Sequence, residues 1–455
     1  MNKKLWIIIT ILIILLGVFL ILFKVNKKEK VTSKNITTNV LAKEKNKLTV
    51  QDKNNVIYTF DMDSDDVEVG NKVVVEYTGL LSRGINKQTC KVIDYEKTEE
   101  VFDENGIPDS YLDNGIFKDY YILAYNKLKT LSLDEKIAQV LLVRYPDSNQ
   151  KEQLRKHQFA GYVFFEKDFK DKSETEVKQM MKDLQEVSNI PILTAVDEEG
   201  GKVVRVSSNN QLVSEKYKSP SDLYQAGGFD KIKEDTISKS NTLNNLGINL
   251  NLAPVVDVAT SSTSYMYDRT LKEDTEKTKE YAKTVIESSK GLGVSYTLKH
   301  FPGYGDNADT HTGTVSDTRS YDDIVKNDLP PFKEGINVGA EAVLVSHNTV
   351  DAIDNSNPAS LSSSVHNLLR NDLGFTGIIM TDDLDMGATK NIAGKTTKAL
   401  LAGNDLVITT DYLESINEIK DALNNNTISE ELINKLAFRV IAWKYYKGMM
   451  FDIHK

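Results

Sequence analysis

Residues 294–313 read VSYTLKHFPGYGDNADTHTG. The apolar run Val294 to Leu298 predicts a buried strand that ends on Lys299 and His300. Pro302, Gly303 and Gly305 then break any helix and open a loop. That loop carries Asp309 and His311 away from the strand end and back over a pocket. The two lie close enough in sequence for the carboxylate to orient the imidazole and favour its protonated form.

Similar short runs recur on both sides, with amphipathic helical stretches between them: GYVFF (161–165), ILTAV (192–196), INLNLA (248–253), AVLV (342–345), GIIM (377–380) and DLVIT (405–409). Repeated βα units of this length predict an α/β fold, a (β/α)8 TIM-like barrel, closed or imperfect, over residues 125–450. Ser132 and Glu135 have capping-box spacing ahead of the apolar Ile137, Val140 and Leu141, so a helix opens the barrel; another, capped near Ser429, ends it. In such barrels the pocket is built just past the C-terminal ends of the strands. Asp197, Asp257, Lys299, His300, His347 and Asp382 all fall there. For His300, His311 or His347 taken singly, a hydrogen-bonded structural histidine is the ordinary alternative.

The segment KHFPGYGDNADTHTG (299–313) resembles the signature of glycoside hydrolase family 3, specifically its β-N-acetylhexosaminidase branch. VDEEGGKVVR (196–205), NLAPVVD (251–257) and NPASLSSSVHNLLRNDLGFTGIIMTDDLDMGA (357–388) match in the family's order, and several separated motifs in one order leave little room for chance. The resemblance implies a retaining exo-β-N-acetylglucosaminidase acting on terminal N-acetylglucosamine, with cell-wall fragments that contain N-acetylglucosamine linked to N-acetylmuramic acid as the natural glycan. It implies Asp382 as nucleophile, His311 as acid/base and Asp309 as the group that holds the imidazole. It also implies hydroxyl contacts from Asp197, Arg205, Arg269, Lys299 and His300, with no metal and no cofactor.

Several alternatives stay open on the residues themselves. Asp383 rivals Asp382 by adjacency, although successive residues at a strand end point in opposite directions. Arg205 and Arg269 could be salt-bridged to Glu198 or Asp268, and His300, Asp309 and His311 could hold zinc on residue type. A β-glucosidase or β-xylosidase of the same family, or a non-catalytic glycan-binding protein, are the competing functions. Tyr304 stands where many relatives carry a second histidine, in HFPGHGD.

The 455 residues exceed what one hydrophobic core usually holds. Leu5 to Phe23 is an uncharged apolar run, about the nineteen or so residues that cross a bilayer, and no small-residue cleavage site follows it. Residues 1–30 are therefore expected to be a single-pass transmembrane anchor with its flanks. Residues 31–47 are expected as a polar stalk, 48–98 as a small antiparallel all-β domain and 99–124 as a linker. Lysines flank the apolar run on both sides, so charge does not fix its orientation; the substrate class puts the catalytic domain outside the cell. The acidic run 61–66 begins like a calcium loop, but Asp66 replaces the required glycine and Lys72 the closing glutamate, which makes it a solvated turn. The net charge of −10 argues against a nucleic-acid partner, which usually calls for a basic face. Cys90, the sole cysteine, permits no internal disulfide.

Overall fold

The computed structural model describes residues 33–44, 46–53, 56–62, 67–82, 85–96, 102–259, 261–305 and 307–451. The apolar run Leu5 to Phe23 and residues 63–66 of the acidic turn lie outside the described residues. Among the described residues no helix is long and apolar enough to cross a membrane.

Six strands form an N-terminal sheet: β1 (Ser33–Glu44), β2 (Lys47–Asp52), β3 (Ile57–Asp61), β4 (Lys72–Thr78), β5 (Ile85–Asn86) and β6 (Cys90–Glu96). Their order is β5-β3-β2-β1-β4-β6, and only the short β3–β5 pair is parallel. β1 corrects the expected stalk. Thr38, Val40 and Ala42 are buried while Thr37 and Asn39 are exposed, so the polar composition of this segment is the wet face of a strand. Val40, Leu48, Val50, Phe60, Val73 and Val75 pack as the sheet's own core. The sheet is fastened to the rest of the chain by buried Asn367, whose Oδ1 accepts the Ile57 N–H (3.0 Å) and whose Nδ2 donates to the Ile57 carbonyl (2.7 Å).

The expected linker is also corrected from Phe102 onward. Ile107, Tyr111 and Phe117 are buried in the main core, with the Tyr111 ring 5.2 Å from that of Phe438. Asp113 pairs with Arg439 at 2.9 Å. Glycine and acidic residues punctuate this segment, but its apolar residues are spaced to wrap the helix Glu430–Tyr446.

The main core surrounds ten further strands: β7 (Leu141–Arg144), β8 (Gly161–Phe164), β9 (Leu193–Val196), β10 (Leu250–Asn251), β11 (Ser295–Phe301), β12 (Ser316–Asp317), β13 (Ala342–Val345), β14 (Thr349–Val350), β15 (Ile378–Thr381) and β16 (Val407–Thr409). Eight of these form one all-parallel sheet in the order β15-β13-β11-β10-β9-β8-β7-β16. A parallel bridge from Met380 to Leu406 joins its two ends, giving a nearly closed TIM-like barrel. These strands are buried on both faces, which is why they read as short continuous apolar runs.

Seven of the eight strands match the runs seen in the sequence. The eighth, β7, corrects the opening helix. Ser132 and Glu135 do form the capping box, but the helix spans only Leu133–Gln139 and Leu141 begins a strand. Pairing with β8 and β16 captures this segment, because an apolar run of this length suits either period until a neighbour decides it. β12 and β14 pair separately, Ser316 with Thr349 and Asp317 with Val350, and tie the loop after β11 to the loop after β13.

Candidate active site

A cavity of about 750 Å³ opens at the C-terminal ends of the barrel strands, within the size range of ligand pockets. It is bordered by Asp197 after β9, Lys299 and His300 at the end of β11, His311 on the loop beyond, and Asp382 and Asp383 after β15. Arg205 and Arg269 complete the set that the sequence singled out, so these eight side chains share one space. Asp309 stands directly behind His311.

The floor is an ion network around Lys299. Its ammonium lies 2.7 Å from Asp197 Oδ1 and 2.6 Å from Glu199 Oε1, and its side chain is only 3% exposed. Arg269 grips the same Glu199 with both arms, Nη2 to Oε1 at 2.6 Å and Nε to Oε2 at 3.0 Å. Burial works against ionisation of Glu199, but Arg269 and Lys299 outweigh it and hold the carboxyl far below the ordinary range. Burial opposes the Lys299 charge too, and Asp197 and Glu199 raise it above the usual lysine value. Arg205 leans on Asp197 at 3.6 Å and packs over the Phe165 ring, with its Nε buried and unpartnered among the described residues. His300 donates from Nδ1 to Asp257 Oδ2 (2.7 Å), and its Nε2 lies 3.4 Å from Arg269 Nη2.

The alternative pairings therefore resolve differently from either option in the sequence. Arg269 takes Glu199 rather than Glu198 or Asp268. Asp268 pairs with Lys202 (2.5 Å) and Lys272 (3.0 Å), while Glu198 accepts the backbone N–H groups of Arg205 (2.8 Å) and Val206 (2.7 Å). Glu199 was not distinguishable from Glu198 by motif. Both lie past the end of β9 and both are buried, so only their contacts separate them: Glu199 meets Lys299 and Arg269, and Glu198 the backbone of the following loop. His300 and His311 bond to different carboxylates, and among the described residues no group of three or more histidine, cysteine, aspartate or glutamate side chains is arranged around a metal site.

Asp382 and Asp383 both border the cavity, contrary to the expectation that only one would. The loop turns sharply after β15, so strand alternation no longer applies. Their surroundings separate them. Burial opposes ionisation of Asp382, but His347, His300, the Asp383 amide at 2.8 Å and Lys299 together hold its carboxyl below the ordinary aspartate value. Burial pushes Asp383 up instead, and its oxygens are occupied by Thr410 (2.8 Å) and the Asp385 N–H (3.0 Å). His347 is structural: it is fully buried, bonded to Ser360 Oγ (2.7 Å), and donates from Nε2 to the Asp383 carbonyl (2.9 Å).

The loop pair forms as expected. His311 donates from Nδ1 to Asp309 Oδ1 at 2.6 Å, and its backbone N–H reaches the same oxygen at 2.9 Å. Burial works against ionisation of Asp309, but the His311 amide and imidazole lower its carboxyl overall. Nδ1 is thereby committed to carrying a proton, and Nε2 is the nitrogen left for chemistry. The His311 side chain is 59% exposed, so it reaches the cavity mouth rather than the floor.

Residues 132–443 match the model of the glycosyl hydrolase family 3 N-terminal domain. A β-hexosaminidase of Xanthomonas campestris pv. campestris (strain B100) is 28% identical over 304 residues, 65% of this chain and 90% of that protein. One from Nitrosomonas eutropha is 30% identical over 275 residues, 58% of this chain and 77% of the relative. Among solved structures, a family 3 β-N-acetylglucosaminidase from Paenibacillus sp. str. FPU-7 superposes with a TM-score of 0.65 at 27% identity, covering 70% of this chain and 63% of that one. LpqI of M. tuberculosis gives 0.63 at 27% identity, covering 70% and 95%. The match spans well over half of the chain and embraces every strand of the barrel; the chain belongs to glycosyl hydrolase family 3, resembles its β-N-acetylhexosaminidase branch, and is a glycoside hydrolase.

Proposed function

We propose that the chain is a retaining exo-β-N-acetylglucosaminidase in which Asp382 is the nucleophile and His311 the acid/base. The observation that carries this is the meeting, in one cavity, of an aspartate kept ionised and an imidazole whose Nδ1 is tied to a carboxylate. Asp382 attacks the anomeric carbon while His311 Nε2 gives its proton to the departing glycosidic oxygen. The glycosyl-enzyme ester then meets a water whose proton returns to Nε2, and two inversions give net retention. Asp309 stabilises the imidazolium before the first step and again after the second. Asp197, Arg205, Arg269, Lys299 and His300 supply charged donors and acceptors for sugar hydroxyls, and the relatives named β-hexosaminidase and β-N-acetylglucosaminidase support an acetamido sugar there.

The natural glycan is proposed to be N-acetylglucosamine-terminated cell-wall fragments, reached from a membrane anchor at Leu5 to Phe23. This part rests on sequence alone, and membrane fractionation with an intact N-terminus checks it. For the activity, 4-nitrophenyl glycosides discriminate the readings. The N-acetyl-β-glucosaminide is expected to be hydrolysed well ahead of the β-glucoside and β-xyloside, with the β anomer released first; the reverse preference moves the chain to another activity of the family. Asp382→Ala is expected to abolish turnover in a folded protein, whereas turnover by that variant beside an inactive Asp383→Ala would move the nucleophile by one residue.

A further inference from the structure

The acid/base pair sits on an exposed loop, yet its backbone is held from beneath by one side chain that the mechanism above does not use. Tyr304 is 3% exposed. Its hydroxyl accepts the Thr310 N–H at 2.9 Å and shares a second hydrogen bond with Thr310 Oγ1, also 2.9 Å. Thr310 is the residue between Asp309 and His311, and is itself 1% exposed. Its carbonyl accepts the Ala388 N–H at 3.1 Å, which joins the loop to the segment that follows Asp382. Gly387 lies so close that a Cβ there would stand 2.4 Å from the His311 carbonyl oxygen.

The other end of Tyr304 is anchored as firmly. Its N–H donates to Asp257 Oδ1 at 2.7 Å, and the second oxygen of that carboxylate holds His300. Its carbonyl accepts from Asn307 (2.9 Å) and Asn348 (3.2 Å). A rigid chain thus runs from Asp257 on the barrel rim, through the Tyr304 ring, to Thr310 and on to Ala388. No other side-chain hydrogen bond among the described residues holds Thr310 from below.

We propose that Tyr304 is a positioning residue for the acid/base pair: its hydroxyl clamps Thr310 and so holds His311 over the cavity and against the loop that carries Asp382. Tyr304 borders the same cavity, but its hydroxyl is engaged by Thr310, so its part is to position rather than to react. It acts by restricting where Nε2 can be, and proton transfer to a leaving oxygen depends steeply on that placement. The inference rests on the reading of His311 as acid/base, so its test must be able to fail separately.

Three variants, Tyr304→Phe, Thr310→Val and His311→Ala, are assayed on N,N′-diacetylchitobiose and on 2,4-dinitrophenyl N-acetyl-β-glucosaminide, with thermal unfolding recorded for each. The disaccharide needs its leaving oxygen protonated and the dinitrophenolate does not. For Tyr304→Phe, kcat/KM on the disaccharide is expected to fall roughly ten- to hundredfold, and on the activated substrate less than about threefold. Azide should raise its kcat on the activated substrate, because a small anion intercepts the glycosyl-enzyme without base assistance. A merely structural role would lower both substrates alike and leave azide without effect, and that result, or wild-type kinetics, overturns the proposal. Thr310→Val is expected to show the same pattern and carries the same refutation if Tyr304→Phe does not fold. If His311→Ala itself shows no leaving-group dependence, the acid/base assignment falls, irrespective of Tyr304.

Discussion

Replacing Glu199 with glutamine tests whether the ion network under the cavity is as tightly balanced as its geometry implies. One carboxylate, 1% exposed, serves Lys299 at 2.6 Å and both arms of Arg269 at 2.6 and 3.0 Å. Glu199→Gln keeps the volume but removes the charge, and its amide N–H₂ turns donors toward one of two cations. Breaking a buried pair by removing one partner costs about 3–5 kcal/mol. The unfolding entropy of about 2.1 cal/mol/K per residue, over roughly 300 barrel residues, gives ~0.6 kcal/mol/K and therefore a fall in Tm of about 5–8 °C. The pH dependence has a definite sign. The folded-state pKa of Glu199 is depressed below the ordinary value of 4.5, so its contribution is full above that value and is lost as pH falls through the folded one. Calorimetry of both proteins from pH 7 downward should therefore show a constant gap in Tm to about pH 5 and a narrowing gap below it. A gap under about 1 °C at pH 7, or one that widens in acid, would refute the reasoning.

Two further outcomes follow from close contacts elsewhere. Gly387→Ala places a methyl 2.4 Å from the His311 carbonyl oxygen, so one of the two loops must shift by at least a few tenths of an ångström. The expected result is a roughly ten- to hundredfold loss of kcat/KM on unactivated glycosides, with an unchanged far-UV spectrum; full activity would show that the contact is soft. Asn367→Ala strips both backbone groups of Ile57 of their buried partner. It should cost about 2–4 kcal/mol locally and speed proteolysis within residues 33–96 while hydrolysis by the barrel persists; equal protection in both proteins would mean that other contacts hold the sheet.

The barrel was legible because its strands are buried on both faces and leave little room for polar residues. VSYTL, ILTAV and AVLV stand out against amphipathic helices for that reason alone. β7 was not, because Val140 alone separates it from the end of a capped helix, and only its neighbours in space choose between the two periods. β1 and the segment 102–120 were hidden for another reason. Each buries a few apolar side chains, Val40 and Ala42 in one and Ile107, Tyr111 and Phe117 in the other, within a composition dominated by the exposed face. Composition averages over both faces, whereas burial concerns one.

The site divides along the same line between what a motif carries and what a fold adds. Asp382, His311 and Asp309 are named by residue type and order, because the chemistry admits few substitutes. Glu199 and Tyr304 are defined by what they touch beyond their own motifs: Glu199 reaches Arg269 seventy residues away, and Tyr304 is held by Asp257 and works through Thr310 to Ala388. Asp382, the proposed nucleophile, stands at the end of a strand, where His347, His300, the Asp383 amide and Lys299 hold its charge against burial. His311, the proposed acid/base, stands on a loop that gains its position only by being held. Substitutions around Asp382 should therefore act through its ionisation, and those around His311 through geometry. A leaving-group series separates the two, since the loss of nucleophile affects every substrate and displacement of the acid affects only those whose departing oxygen needs a proton.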